Sequence, residues 1–226
     1  DAANTNYLLT LGVARKLDRN WTLIGRDYLN LVDPKTAGPG RRQNQMQVGF
    51  AYRPVDNNKF DALGLYERKS ERDAAAGLNS TTDIVSLRAN YHPTRVWWVS
   101  GRYALKRVDE LLLGTIQDSY HAQLFGSRVT YDVSNRWSVG ALATVLVGKG
   151  GARQYAYGVE VGYVVVDNLW VTLGYNFRGF RDDELTGSDY TNRGWVLGMR
   201  YKFDEDLFRK GDASVNKTLT PGSPAK

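Results

Sequence analysis

The chain contains no cysteine, which excludes a disulfide scaffold and thiolate metal sites and leaves the redox compartment open. Histidine is scarce: there are 2, His92 and His121, and no cluster of histidine and carboxylate has metal-ligand spacing. Long hydrophobic runs are also missing, since stretches such as Tyr163 to Val166 fall far short of the about 18 apolar residues that a membrane helix needs. Helical spans are therefore excluded. Barrel strands are not, because each needs only about 9 to 11 residues with one apolar face. Residues 1 to 6 lack a basic start followed by an apolar run. The expectation is that a secretion signal has been removed or that the chain begins inside a longer protein. The net charge of +6 is a mild bias that by itself selects no partner.

What the chain has instead is 14 Tyr, 6 Trp and 23 Gly in 226 residues. Tyrosine and tryptophan favour strands and the water–lipid boundary, and glycine suits tight turns and crowded strand packing. These residues sit in a repeat: a strand ends on an aromatic residue, a tight polar turn follows, and a new strand opens on Trp or Phe. The five copies run from Gly12 to Trp21, Gly49 to Phe60, Ala89 to Trp97, Val129 to Trp137 and Gly162 to Trp170. Asp, Asn, Ser and Pro supply the turn chemistry. Longer polar connections alternate with the tight ones, at 33–42, 70–80, 108–119, 148–154 and 179–193. The spacing predicts strands over 6–17, 20–32, 43–53, 59–70, 81–92, 96–107, 120–132, 136–148, 154–166, 168–179 and 193–204.

Alternation is plainest near the end of the chain. Tyr155, Tyr157, Val159, Val161, Tyr163 and Val165 share one face, and Ala156, Gly158, Glu160 and Gly162 share the other. Trp21, Tyr52, Tyr91, Trp97, Tyr131, Trp137, Tyr163, Trp170 and Tyr201 flank the short turns and are expected to ring one rim as membrane-interface aromatics. A second ring is expected about 25 Å away from Tyr7, Tyr28, Tyr66, Tyr103, Tyr120, Tyr155, Phe177, Phe180 and Trp195. Period-two alternation alone also suits a soluble β-sandwich.

With this repeat the chain resembles bacterial outer-membrane β-barrel proteins, and Gly198, Tyr201 and Phe203 resemble the terminal strand signal read by the barrel-assembly machinery. The resemblance implies an all-β, antiparallel, up-and-down transmembrane barrel with short turns on the periplasmic side and longer loops outside. Eleven strands are visible, and because such barrels have even strand numbers, twelve are expected on completion. Residues 1–204 are thus expected to form the barrel, as the C-terminal part of a larger chain, and residues 205–226 a polar periplasmic tail. The partners implied are outer-membrane lipid and lipopolysaccharide, the barrel-assembly machinery, and other subunits or upstream domains, with no nucleic acid and no cofactor.

If the apolar faces meet lipid, Lys16, Arg53, Arg88, Arg102, Lys106, Arg128, Arg178, Arg200 and Lys202 line the lumen, with Glu160 as the balancing acid. Such a basic lumen suits an anion-preferring pore, and it equally suits a polar interior neutralised by loop carboxylates. The function expected first is a membrane anchor for a larger surface or periplasmic assembly, with a stand-alone pore or transporter as the alternative. No catalytic residue is expected, since neither histidine has a recognisable nucleophile motif beside it.

Overall fold

The structure, a computed structural model, describes residues 4–34, 40–57, 59–166, 169–182, 185 and 192–201. These form a single antiparallel sheet in strict chain order, eleven strands wide. The strands are β1 (Asn4–Lys16), β2 (Trp21–Pro34), β3 (Arg41–Tyr52), β4 (Phe60–Asp73), β5 (Leu78–Thr94) and β6 (Trp97–Leu112), then β7 (Ile116–Asp132), β8 (Trp137–Val147), β9 (Arg153–Val166), β10 (Leu169–Arg178) and β11 (Gly194–Tyr201). This is the all-β, up-and-down barrel wall expected from the repeat. Its curl is evident from one concave cavity that draws side chains from β5 through β11. Among the described residues β1 and β11 do not pair, and both run in the same direction, so the sheet has two free edges.

The tight turns show how the repeated residues act. Asp18 Oδ1 accepts from the backbone N–H groups of Asn20 and Trp21 at 2.7 and 2.8 Å. Ser134 Oγ does the same for Arg136 and Trp137 at 3.3 and 3.1 Å. A short oxygen-bearing side chain three residues before the tryptophan thus closes the turn and starts the next strand. Successive turns are also stitched together: Arg53 N donates to Asn20 O at 2.8 Å, His92 N to Lys59 O at 2.7 Å and Asp132 N to Val96 O at 2.9 Å.

At the opposite end, two of the expected long loops are strand. β4 and β5 stay paired out to Asp73 and Leu78, and β6 and β7 out to Leu112 and Ile116. The connections shrink to Ala74–Gly77 and Leu113–Thr115, where Gly77 and Gly114 supply the positive φ values of 63° and 69°. These segments read as loops because both faces are wet there, and polarity without alternation hides a strand.

The register yields the tilt of the wall. Across one side of each strand the rim aromatics are direct partners: Trp21 with Tyr52, Phe60 with Tyr91, Trp97 with Tyr131 and Trp137 with Tyr163. Across the tight turns the pairing is offset by two residues, so Tyr52 meets Ala62, Tyr91 meets Val99, Tyr131 meets Val139 and Tyr163 meets Val171. A two-residue step per hairpin is one residue per strand. About 3.3 Å along for every 4.8 Å across is a tilt of about 35°, the range in which barrels close.

Close strand contact depends on glycine at Gly49, where a Cβ would lie 2.4 Å from Gly64 O, and at Gly158. A Cβ at Gly158 would lie 2.5 Å from Tyr175 O and 3.0 Å from Asn176 Cα, both backbone atoms of β10 that move only with the strand. Gly158→Ala is expected to destabilise the folded barrel by about 1 to 3 kcal/mol, read as a lower urea midpoint in detergent. Gly101, whose Cβ would meet nothing within 4 Å, is the control. Equal midpoints for both variants would show that β9 and β10 have room to spare.

Candidate functional site: the concave face and its inward segment

The two faces of the sheet are chemically distinct. On the convex face the rim aromatics recur at one level, with ring centroids 4.9 Å apart for Trp21–Tyr52, 4.7 Å for Trp97–Tyr131 and 4.6 Å for Trp137–Tyr163. Six residues further along their strands, Tyr66, Tyr103, Phe125, Tyr157, Tyr175 and Trp195 form a second level on the same face. Tyr103 meets Phe125 at 4.9 Å and Tyr175 meets Trp195 at 5.0 Å. At the tilt derived above the two levels stand about 16 Å apart, closer than the sequence suggested. On β4 and β5 the first outward charges, Arg68 and Asp83, lie eight residues from Phe60 and Tyr91. That marks an apolar band of about 22 Å, close to the height of barrel surfaces that face lipid. Asp27 interrupts this band on β2, its carboxylate accepting from Asn44 Nδ2 at 3.0 Å.

Membership of the rings differs from expectation at several places. Trp170 faces the concave side, with the Arg200 guanidinium 4.9 Å from its ring centroid. Trp21, Trp97 and Trp137 are the first residues of their strands, whereas Leu169 takes that place in β10. The one-residue displacement turns Trp170 to the other face. In the second ring Tyr28 and Tyr120 alternate onto the concave face, and Phe180 is buried. Of the terminal strand signal, Gly198 lies opposite Thr172, Tyr201 pairs with Leu169, and Phe203 is outside the described residues.

Of the nine expected basic residues, Lys16, Arg88, Arg102, Lys106, Arg128 and Arg200 lie on the concave face and Arg178 is turned off it. Arg88 and Arg102 are direct register partners on β5 and β6, and Arg128 follows on β7 opposite Ser100. Arg128 Nε lies 3.6 Å from Glu160 Oε1, two strands away. Glu160 reaches it over the bare backbone of Gly140, where a Cβ would come within 2.8 Å of the glutamate side chain. Lys16 ends β1 on the same face opposite Thr22, and Arg53 is exposed just past the end of β3. Lys202 lies outside the described residues.

The exception is Arg178, whose guanidinium sits 5.6 Å from the Tyr155 ring centroid on the convex face. A register shift between Asn176 and Arg178 inserts an extra residue and reverses the alternation.

Sequence reasoning also missed groups on this face. Arg26 is concave, opposite Gln47. So are three acids of β4: Asp61, which accepts from Asn90 Nδ2 at 2.8 Å, Glu67, which accepts from Gln45 and Gln47 at 2.8 and 2.7 Å, and Glu71, paired with Arg41. Leu63 and Leu65 share their face, while Ala62 and Gly64 face out, so apolarity pointed the wrong way on this strand. Glu160 is therefore joined by carboxylates on β4, where Lys69 Nζ lies 3.3 Å from Glu67, and arginines recur on the adjacent strands β5 through β7, with Arg26 and Arg200 beyond.

His92 packs inside against Trp98, with ring centroids 4.4 Å apart and the planes tilted by 53°, and its buried Nδ1 has no hydrogen-bond partner among the described residues. His121 is exposed on the convex face.

The connection after β10 turns into the concavity. Phe180 and Leu185 pack among Ile84, Ala104, Ala122, Leu124, Leu146 and Ala156, concave residues of β5 through β9. Asp182 organises the segment: its Oδ1 accepts from Leu185 N at 2.8 Å, and its Oδ2 lies 3.5 Å from the buried Lys106 ammonium. Burial of Phe180 and Leu185 contributes about 1.5 to 3 kcal/mol each. On the short-turn side of this plug lies a cavity of about 510 Å³, lined by Ser100, Arg128, Glu160, Trp170, Asn176 and Arg200 among others.

A barrel wall with an apolar outer band, a charged concave face and a segment folded into its mouth is the construction of a membrane β-barrel. No protein-family model matches the chain, and no curated protein matches it in sequence. Among solved structures it is similar to the NanC porin in a rhombohedral crystal form, at 13% identity over 88% of this chain and 96% of that one, with a TM-score of 0.44. It is also similar to the KdgM porin in complex with disordered oligogalacturonate, at 12% identity over 89% and 100% of the two chains, with a TM-score of 0.38.

Proposed function

We propose that the chain forms a pore in the bacterial outer membrane that favours small anions and is narrowed by the inward segment carrying Phe180, Asp182 and Leu185. The observation that carries this reading is the strip of Arg88, Arg102 and Arg128 on three adjacent strands of the concave face, with Arg128 lining the cavity below the plug. A run of positive side chains on a confined wall raises the local anion concentration and lowers the entry barrier for anions. The short turns face the periplasm and the inward segment faces outside.

The free edges fit a barrel completed by one more strand. Trp195, Leu197 and Met199 on β11 are 70%, 75% and 76% exposed, as befits an edge that lacks its neighbour. Because β1 and β11 run in the same direction, a single strand antiparallel to both closes the wall at twelve. The anchoring role expected from the sequence draws on residues 205–226, which lie outside the described residues.

The test is ion selectivity of the purified barrel in a planar bilayer. A salt gradient is expected to give a reversal potential of the sign for anion preference. A sealed barrel, or a cation-selective one, would overturn the proposal.

A further inference from the structure

The convex face holds a feature that the pore does not use. Arg42 on β3 and Arg72 on β4 are direct register partners, both exposed and both on the face of Met46, Val48 and Phe50. Like charges placed directly opposite on one face of a sheet destabilise the pair unless an anion joins them. Among the described residues neither guanidinium has an ion-pair partner. Their sequence neighbours do, because Arg41 and Glu71 pair on the opposite, concave face. Two other outward arginines are engaged by acids of the same face: Arg68 Nε lies 3.9 Å from Asp83, and Arg107 Nε lies 2.9 Å from Asp109.

From this juxtaposition we infer that Arg42 and Arg72 form a site on the outside of the barrel for the phosphate of a lipid headgroup. Two guanidiniums from adjacent strands can each present a planar pair of N–H donors to one phosphate, the geometry for which arginine is suited. Polar groups of the same face surround them: Ser70, register partner of Asn44 and Thr81, one outward position nearer the rim, and Asn79 opposite Arg72.

The height of the site selects lipid over a free anion. Arg42 is ten residues from Tyr52 and Arg72 twelve from Phe60, so they stand about 5 and 11 Å beyond the apolar band, in the headgroup layer. Acyl chains lying along Met46, Val48 and Phe50 would bring a headgroup phosphate to this level. The outward carboxylate of Asp27 is held by Asn44 and lies nearer the rim.

The inference rests on the membrane reading above, and the experiment separates the two. Full-length barrel in detergent is titrated with bisphosphorylated lipid A, with dephosphorylated lipid A and with inorganic phosphate, and bound species are counted by native mass spectrometry. The R42Q/R72Q variant is expected to bind bisphosphorylated lipid A roughly tenfold more weakly, whereas dephosphorylated lipid A should not distinguish it from the wild type. Equal affinity of variant and wild type overturns the site. Displacement of lipid A by an equimolar amount of inorganic phosphate reassigns it to a free anion and overturns the lipid. The single variant R72Q carries the same comparison if the double variant does not fold. Conductance should be unchanged in either variant, since both positions face away from the lumen. A wild-type barrel that fails to enter bilayers would refute the membrane reading, while one that enters with no loss of lipid binding in the variant refutes this inference alone.

Discussion

Replacing Phe180 and Leu185 together by serine is expected to raise single-channel conductance several-fold and to make the open level noisier. Phe180 and Leu185 are the apolar contacts that hold the inward segment against β5 through β9. Losing both removes about 3 to 6 kcal/mol of burial and leaves hydroxyl groups against an alanine and leucine surface. Among the described residues the Asp182–Lys106 ion pair and the hydrogen bond from Asn176 Nδ2 to Asn192 O would still tether the connection. Such polar tethers, partly buried, do not by themselves offset the entropy of ordering a loop. The strand ladder is untouched, so the variant should fold and insert as the wild type does. Single-channel recording decides the matter: an unchanged conductance would mean that the segment does not restrict the lumen. Asp182→Ala, which keeps the apolar anchors, is expected to give an intermediate conductance with frequent transitions between levels.

The second large effect should come from reversing the basic strip. Arg88→Glu combined with Arg102→Glu changes the wall charge by four units at one level, where the two side chains are direct partners. Arg128 would then face both its existing partner Glu160 and two new acids within reach. The reversal potential in a salt gradient is expected to change sign, from anion to cation preference, and the effect should fade as ionic strength rises because the Debye length shrinks to about 3 Å at 1 M salt. Retention of anion preference in the double variant would place the selectivity elsewhere, with Arg200 and Arg26 the next positions to reverse.

Much of the wall was legible in the sequence because two local signals agree along it. The turn residue three positions before a strand-opening tryptophan, as with Asp18 and Ser134, marks where a strand begins. The period of two, clear in Tyr155 to Val165, tells which side faces out. Both signals are carried by neighbouring residues, and both survive in the structure. The failures lie where a face is decided by something that neighbours do not encode. Trp170 follows the turn as the other tryptophans do, yet one extra residue before it reverses its direction. Arg178 is reversed by an inserted residue that has no sequence signature of its own. On β4 the ordinary reading of apolar as outward fails because Leu63 and Leu65 face the lumen beside Asp61 and Glu67. In sequence the inward segment is a longer polar connection, because the surface that receives Phe180 and Leu185 is assembled from five strands. No window of sequence contains it.

The uniform two-residue step at the tight turns governs how such a wall can change in size. Each hairpin contributes the same displacement along the strands and the same width across them, so adding or removing one leaves the tilt of about 35° as it was and alters only the circumference. A single residue gained or lost in a tight turn does the opposite: the circumference stays, and the apolar and charged faces of everything beyond it are exchanged. The hairpin is thus the smallest unit by which this architecture can be widened or narrowed, and the bore of the barrel is quantised in units of two strands.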